Sequence, residues 1–187
     1  MQFPINLNLA GRRVLVVGGG RIALRKTEQL LPCGADITVI APQIIDEFNQ
    51  LGVTLLRREY AAGDALGFRL VITATGNVTV DQQIYDESET AGIWVNSADD
   101  PERCTFTLPA VHRQGSVMVA VSTGGASPAL SSWLRREIAD LVGPEFADIA
   151  AELAAKRADV HSRGLSTEDI DWKPIIDEVL VAHGVSR

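Results

Sequence analysis

The sequence is poor in the residues that build metal centres and disulfide frameworks. Its two cysteines, Cys33 and Cys104, are far apart and in no metal or redox spacing. Its three histidines, His112, His161 and His183, form neither a His-x-x-x-His pair nor a cluster with cysteine. No metal ligand set is therefore expected, and such sparse cysteine fits a reducing compartment. No stretch approaches the ~20 apolar residues of a membrane helix, and the start, Met1-Gln2-Phe3-Pro4-Ile5-Asn6-Leu7, lacks the basic and apolar regions of a secretory leader. A soluble, cytoplasmic protein with no membrane partner is expected. Positive charge is short too: 17 Lys and Arg against 24 Asp and Glu leave a formal charge of −7. Acidic residues outnumber basic ones in both halves, so neither half offers nucleic acid a basic face. A Gly-x-Ser-x-Gly elbow and a P-loop are also absent.

What is present is a globular chain of 187 residues, 46% hydrophobic, long enough for one large or two small domains. Its organising stretch is Val14-Leu15-Val16-Val17-Gly18-Gly19-Gly20-Arg21-Ile22-Ala23. The apolar run suits a strand covered on both faces, and Ala23, Thr27, Leu30, Leu31 and Gly34 then recur at helical spacing. Gly18, Gly20 and Ala23 fit the Gly-x-Gly-x-x-Gly/Ala pattern of a dinucleotide fold: a tight turn, a close backbone approach to pyrophosphate, and close packing of helix on strand. An ordinary glycine turn is the alternative. The acidic residue expected after the second strand to bind a ribose hydroxyl is replaced by Ala41-Pro42-Gln43, so spacing leaves NAD and NADP open.

The pattern predicts further strands at Asp36–Ile40, Val53–Arg57, Phe68–Ala74 and Ile93–Val95, with helices at Pro42–Leu51 and Val78–Ala91. Such alternation argues for a Rossmann-like, mostly parallel α/β sheet. The turn Thr75-Gly76-Asn77 after the fourth strand should border a cofactor, because open sheets bind ligands beyond the carboxyl ends of their strands, although Asn77 equally suits a helix-capping loop. Beyond Asn96 the pattern changes to a hairpin, with Cys104, Phe106, Leu108 and Ala110 alternating against Val117, Val119 and Val121. Helices are expected at Ser127–Leu141, Glu145–Ser162 and Ser166–Ala182. The expected division is a cofactor domain at 1–111 and a mainly helical region at 112–187.

Two further stretches carry candidate chemistry. In Asn96-Ser97-Ala98-Asp99-Asp100-Pro101, adjacent carboxylates past a strand end suit a proton acceptor and a positioning group, although Asp-Asp-Pro is also good turn chemistry. Ser122-Thr123-Gly124-Gly125-Ala126-Ser127-Pro128 leads into a helix, and its backbone N–H groups suit either an anion or a plain capped helix start.

These pieces together resemble the precorrin-2 dehydrogenase family of sirohaem biosynthesis, which includes stand-alone enzymes and the amino-terminal module of sirohaem synthase. The resemblance rests on Val16–Gly20 with Ala23 and Arg25-Lys26, Val39–Pro42, Thr73–Thr75, Asn96–Pro101, Phe106 with Pro109-Ala110, and Val119–Pro128, in family order over about residues 1–140. It implies NAD-dependent oxidation of precorrin-2 to sirohydrochlorin, with NAD at Gly18, Gly19, Gly20, Arg21 and Ile22, at Pro42 and Gln43, and at Thr73, Ala74, Thr75 and Gly76. It also implies a catalytic role for Asp99 and demotes Asp100. Asn96, Ser122, Thr123, Gly124, Gly125 and Ser127 then belong to the tetrapyrrole site, and Arg113, Arg135 or Arg136 would suit the substrate's carboxylates. A homodimer is implied, built through the central and helical regions. Ferrous iron would be a partner only if the chain is also a ferrochelatase, the principal alternative; a non-catalytic NAD(H)-sensing module is a third reading.

Overall fold

Five short runs pair into one all-parallel sheet, whose central strands are too apolar to leave either face in water. In the computed structural model, which describes residues 2–98 and 100–185, they are β1 (Arg13–Val17), β2 (Asp36–Ile40), β3 (Thr54–Leu56), β4 (Leu70–Thr73) and β5 (Trp94–Ser97), in the order β3-β2-β1-β4-β5. β1 lies between β2 and β4, with Val16 opposite both Val39 and Ile72. One face carries Val14, Val16, Val39, Leu70 and Ile72 against Ala23 and Leu30 of α1 (Arg21–Leu30) and against Phe48. The other carries Leu15, Val17, Val71 and Val95 against Ile84 of α2 (Val78–Thr90) and Phe68. Full burial of each such side chain stabilises the fold by about 1.5–3 kcal/mol before chain entropy is charged against it.

The chain runs β1 to β2 to β3 in one direction, then returns to place β4 on the other side of β1. The carboxyl ends of β1 and β4 therefore form a topological switch point, where open α/β sheets leave a crevice.

The chain divides into two compact units, Met1–Thr107 and Leu108–Arg187. The second contains an antiparallel hairpin, β6 (Ala110–Gln114) with β7 (Val117–Val121), and three helices, α3 (Pro128–Leu141), α4 (Glu145–Ser162) and α5 (Trp172–Ala182). α3 packs on the hairpin. A small core of Ile149, Val179 and Leu180, flanked by Phe146, Leu153 and Ile176, joins α4 to α5. Among the described residues no helix is long and apolar enough to cross a membrane.

Several expected elements are shorter or differently used. The helix expected at Pro42–Leu51 is only a 3₁₀ turn at Asp46–Gln50, because Ile45 N–H bonds to Gly19 O (3.0 Å) and holds the preceding chain extended. Cys104–Phe106 does not belong to the hairpin. Cys104 bridges to Asn96, Thr105 N–H reaches Val95 O (2.8 Å), and Phe106 packs against the first unit's core and tilts onto Trp94. The final helix starts at Trp172, after a 3₁₀ turn at Thr167–Asp169, with Asp171 capping Lys173 N–H (3.0 Å).

Candidate functional site

The glycine run at the end of β1 makes three different demands. Gly18 has φ +131° and backs onto the turn after β4: an added Cβ would lie 2.4 Å from Ala74 O. At Gly19 an added Cβ would lie 2.0 Å from Gln43 O. These two glycines let the β1 turn touch the turns after β4 and β2, and only a bare backbone fits. Gly20 is the opposite case, exposed, with nothing within 4 Å of an added Cβ. It is the N-cap of α1, no side chain caps it, and the first turn holds no acidic residue.

The first N–H groups of α1 thus have neither an intrahelical partner nor a side-chain cap, and they face open space beside a bare glycine. The helix dipole adds positive potential, and Arg21 and Ile22 stand exposed in that turn. Such an uncapped helix start could hold a phosphate-bearing ligand, and its open space is compatible with the pyrophosphate of a dinucleotide. Ala23, fully buried, supplies the close helix–strand contact of the third position.

Around this helix start, Pro42 and Gln43 are exposed after β2. Arg57, just past β3, is committed to Ile44 O (2.9 Å) and Asn49 Oδ1 (3.2 Å). The turn after β4 is held by a buried network. Thr73 is fully buried and donates to Asp81 Oδ1 (2.6 Å), with Ser97 Oγ 3.3 Å away. Thr75 donates to the same Asp81 oxygen (2.8 Å) and accepts from Asn77 N–H (3.0 Å). Asn77 then caps α2 through Thr79 N–H (3.0 Å) and Val80 N–H (3.3 Å). Of the four residues expected to meet a cofactor here, Ala74, Thr75 and Gly76 lie at least partly exposed, whereas the Thr73 side chain points into the fold. Spacing gave no sign of Asp81, since only the return of the helix beneath the strand end brings it to the two threonines.

At the end of β5, Asp99 lies outside the described residues. Its neighbour Asp100 is a turn residue: its carboxylate accepts from Glu102 N–H (3.1 Å) and pairs closely with Arg103, which also reaches Gln82 (2.8 Å). Asn96 is buried and uses its amide to donate to Phe106 O (2.9 Å) and to Cys104 Sγ (3.4 Å). The Cys104 thiol donates to Asp100 O (3.1 Å) or Ser97 O (3.3 Å). Burial pushes it above the ordinary thiol range, opposed by the Ser97 carbonyl contact, and Lys26 is close enough for its charge to pull the other way. A thiol held protonated in this way is a poor nucleophile.

In the second unit, the expected anion loop is internally satisfied. Thr123 Oγ1 accepts from Ser127 N–H (3.0 Å), Ser127 Oγ caps Leu130 N–H (3.2 Å), and Ser122 Oγ accepts from Gly124 N–H (3.1 Å). Gly124 and Gly125 take φ +63° and +88°, which non-glycine residues rarely adopt. Arg113 is exposed on β6. His112 Nε2 is engaged with Val142 O (2.7 Å) at the end of α3. Among the described residues no group of three or more His, Cys, Asp or Glu is arranged to hold a metal ion.

Residues 5–110 match the family of putative NAD(P)-binding proteins, and residues 114–141 match the central segment of sirohaem biosynthesis proteins. Similar curated proteins include the sirohaem synthases of Nitrosococcus oceani (33% identical, covering 94% of this chain and 39% of the relative) and Methylococcus capsulatus (40%, covering 84% and 34%). The sirohaem synthase of Pseudomonas fluorescens is 35% identical, with 98% of this chain and 42% of the relative covered. The chain thus spans about two fifths of the length of these relatives. Among solved structures, the precorrin-2 dehydrogenase SirC superposes with a TM-score of 0.75 and 25% identity over 99% of this chain and all of that one.

Proposed function

This chain belongs to the family of putative NAD(P)-binding proteins, and on that premise we propose that it acts in sirohaem biosynthesis, oxidising precorrin-2 to sirohydrochlorin. The reaction transfers a hydride from a ring carbon of the substrate to NAD+ and releases a proton, giving NADH. The cofactor's oxidised nicotinamide supplies the hydride acceptor. The chain's own residues bind, orient and take up the proton. Asp99 is our candidate base, assigned from the family resemblance, and a base is required because hydride loss leaves a cationic carbon framework.

The observation that carries this reading is the uncapped start of α1 beside the open space at Gly20, at the switch point of a parallel sheet. Gly18, Gly19, Gly20, Arg21 and Ile22 would hold the pyrophosphate, with Pro42, Gln43, Ala74, Thr75, Gly76 and the backbone of Thr73 around it. NAD is the cofactor we favour over NADP. The chain after β2 offers no cation for a 2′-phosphate, and the Arg57 guanidinium is already committed. We assign the tetrapyrrole and its carboxylates to Asn96, Ser122, Thr123, Gly124, Gly125, Ser127 and Arg113. A homodimer through the second unit is supported by Leu130, Trp133 and Leu141, apolar side chains of α3 that are 46%, 48% and 75% exposed.

The test mixes purified protein, NAD+ and enzymatically made precorrin-2. NADH absorbance and the sirohydrochlorin spectrum should rise together. Absence of turnover while the cofactor is demonstrably bound would overturn the assignment.

A further inference from the structure

We propose that Asp81 selects the redox state of the cofactor: its buried carboxylate, held by two hydroxyls and, among the described residues, no cation, favours the positively charged oxidised nicotinamide over the neutral reduced one. This rests on the dehydrogenase reading above and adds to it a residue that neither the sequence motifs nor the comparisons single out.

Asp81 is 9% exposed. Its Oδ1 accepts from Thr73 (2.6 Å) and Thr75 (2.8 Å), and among the described residues its Oδ2 accepts from nothing. No ion pair among the described residues includes it. Arg103, which reaches α2 at Gln82, is neutralised by Asp100. The carboxylate lies in the first turn of α2, where backbone N–H groups favour a negative side chain without supplying a full opposite charge.

Holding an anion that is 9% exposed on hydroxyl partners, with little access to water, is costly. An amide oxygen at the same place would accept both hydroxyls and carry no such cost, so the hydrogen bonds do not explain the charge. A positive group that arrives and leaves does explain it. The two threonines flank Ala74, whose carbonyl is the backbone against which Gly18 is packed. Asp81 therefore lies directly behind the β4 turn on the cofactor side of the switch point. NAD+ carries a positive nicotinamide ring and NADH does not, so a fixed negative charge there acts on one form only. It would raise affinity for the reactant form and leave affinity for the reduced product unchanged.

The experiment titrates the full-length chain with NAD+ and with NADH separately, without tetrapyrrole, by isothermal calorimetry. Asp81→Asn keeps the acceptor for both threonines and removes the charge. It should weaken NAD+ on the order of tenfold, the size of a single-charge interaction across several ångströms at an effective dielectric of about 20–30, and leave NADH within about twofold. Asp81→Ser, smaller and neutral, should give the same one-sided loss and serves if the amide packs poorly. Asp86→Asn removes an equal charge from an exposed position of the same helix and should leave the ratio of the two constants unchanged. Equal weakening of both cofactors by the Asp81 variants, no weakening, or an equal shift in Asp86→Asn would each overturn the proposal while leaving the dehydrogenase reading in place. Binding of neither cofactor by the native chain would overturn both.

Discussion

The three consecutive glycines yield a prediction that separates folding from binding. Alanine at Gly18 or Gly19 would drive a methyl to 2.4 Å from Ala74 O or 2.0 Å from Gln43 O, and both are backbone atoms. Neither neighbour can swing away as a flexible side chain would. Relieving an overlap of about an ångström against backbone costs about 1–3 kcal/mol or more, and at Gly18 the φ of +131° adds conformational strain. For a chain of 187 residues, that loss lowers the melting temperature by about 2–4 °C per kcal/mol. Gly20 behaves differently. Its φ of −92° and ψ of −173° suit alanine, and the methyl meets nothing within 4 Å. The loss of a glycine N-cap and the gain from a stiffer unfolded chain offset each other to within about 1 kcal/mol. The new methyl nonetheless occupies the space through which a pyrophosphate reaches the helix N–H groups, so Gly20→Ala should melt with the native protein and bind NAD+ at least about tenfold more weakly. Thermal unfolding and calorimetric titration of all three variants give the answer. Native affinity in a stably folded Gly20→Ala would refute the placement of the cofactor over this turn.

Asp99→Asn should retain fold and NAD+ binding while turnover of precorrin-2 falls by about 10²–10⁴, the usual contribution of a general base; stopped NADH production with unchanged cofactor titration is the result expected. Asp64 makes a two-pronged contact with Arg58 (2.5 and 2.8 Å) and accepts from Ala61 N–H (2.8 Å), and the guanidinium holds its carboxyl below the usual range. Because its folded-state pKa is depressed, its stabilisation is present above about pH 4 and lost as pH falls through that lower value. Asp64→Asn should cost under about 1 kcal/mol at neutral pH, given the solvent-screened pair, and urea midpoints of variant and native should converge toward pH 3. Tyr60 donates a close hydrogen bond to Glu87, whose other oxygen accepts from Gly63 N–H (2.6 Å). Burial, then the carboxylate, raises the phenol well above its ordinary range. Tyr60→Phe should lower stability by about 1.5–3 kcal/mol, the range for hydrogen bonds to charged groups, read as an earlier urea midpoint at unchanged slope.

The sheet was largely legible because burial on two faces leaves a local mark. Asp36–Ile40 and the strand before the glycines are apolar runs ended by turn residues, and β2 begins and ends where the pattern places it. α3 and α4 were equally readable, since Ser127-Pro128 marks the first start and Gly143-Pro144 separates the two helices. What failed was pattern whose partner is distant in sequence. Alternation through Cys104–Phe106 looks like a hairpin arm, yet its neighbour is the edge of β5, chosen by the Asn96 amide and by Thr105, which accepts from Val95 N–H (2.9 Å). Ile44 and Phe48 are spaced like a helix face, but they are drawn under the sheet while Gly19 takes the local backbone bond.

The same distinction divides the site. Motif spacing located the residues whose backbone must bend or approach closely, because glycine at Gly18 and Gly19 answers a steric demand that no other residue meets. It did not separate residues that react from residues that hold. Asp100 looks as chemical as Asp99 in a linear reading, yet its carboxylate is committed to a turn amide and Arg103. A group already saturated by the fold is costly to divert to substrate, since each diverted contact leaves a buried donor or acceptor unpaired. Asp81 is the converse: silent in the motif, satisfied in its hydrogen bonds at one oxygen, and without an ion pair among the described residues. The chemistry of this strand end is therefore divided between residues that fix position through hydrogen bonds and Asp81, whose charge meets no cation among the described residues. The latter is where substitution should change function before it changes stability.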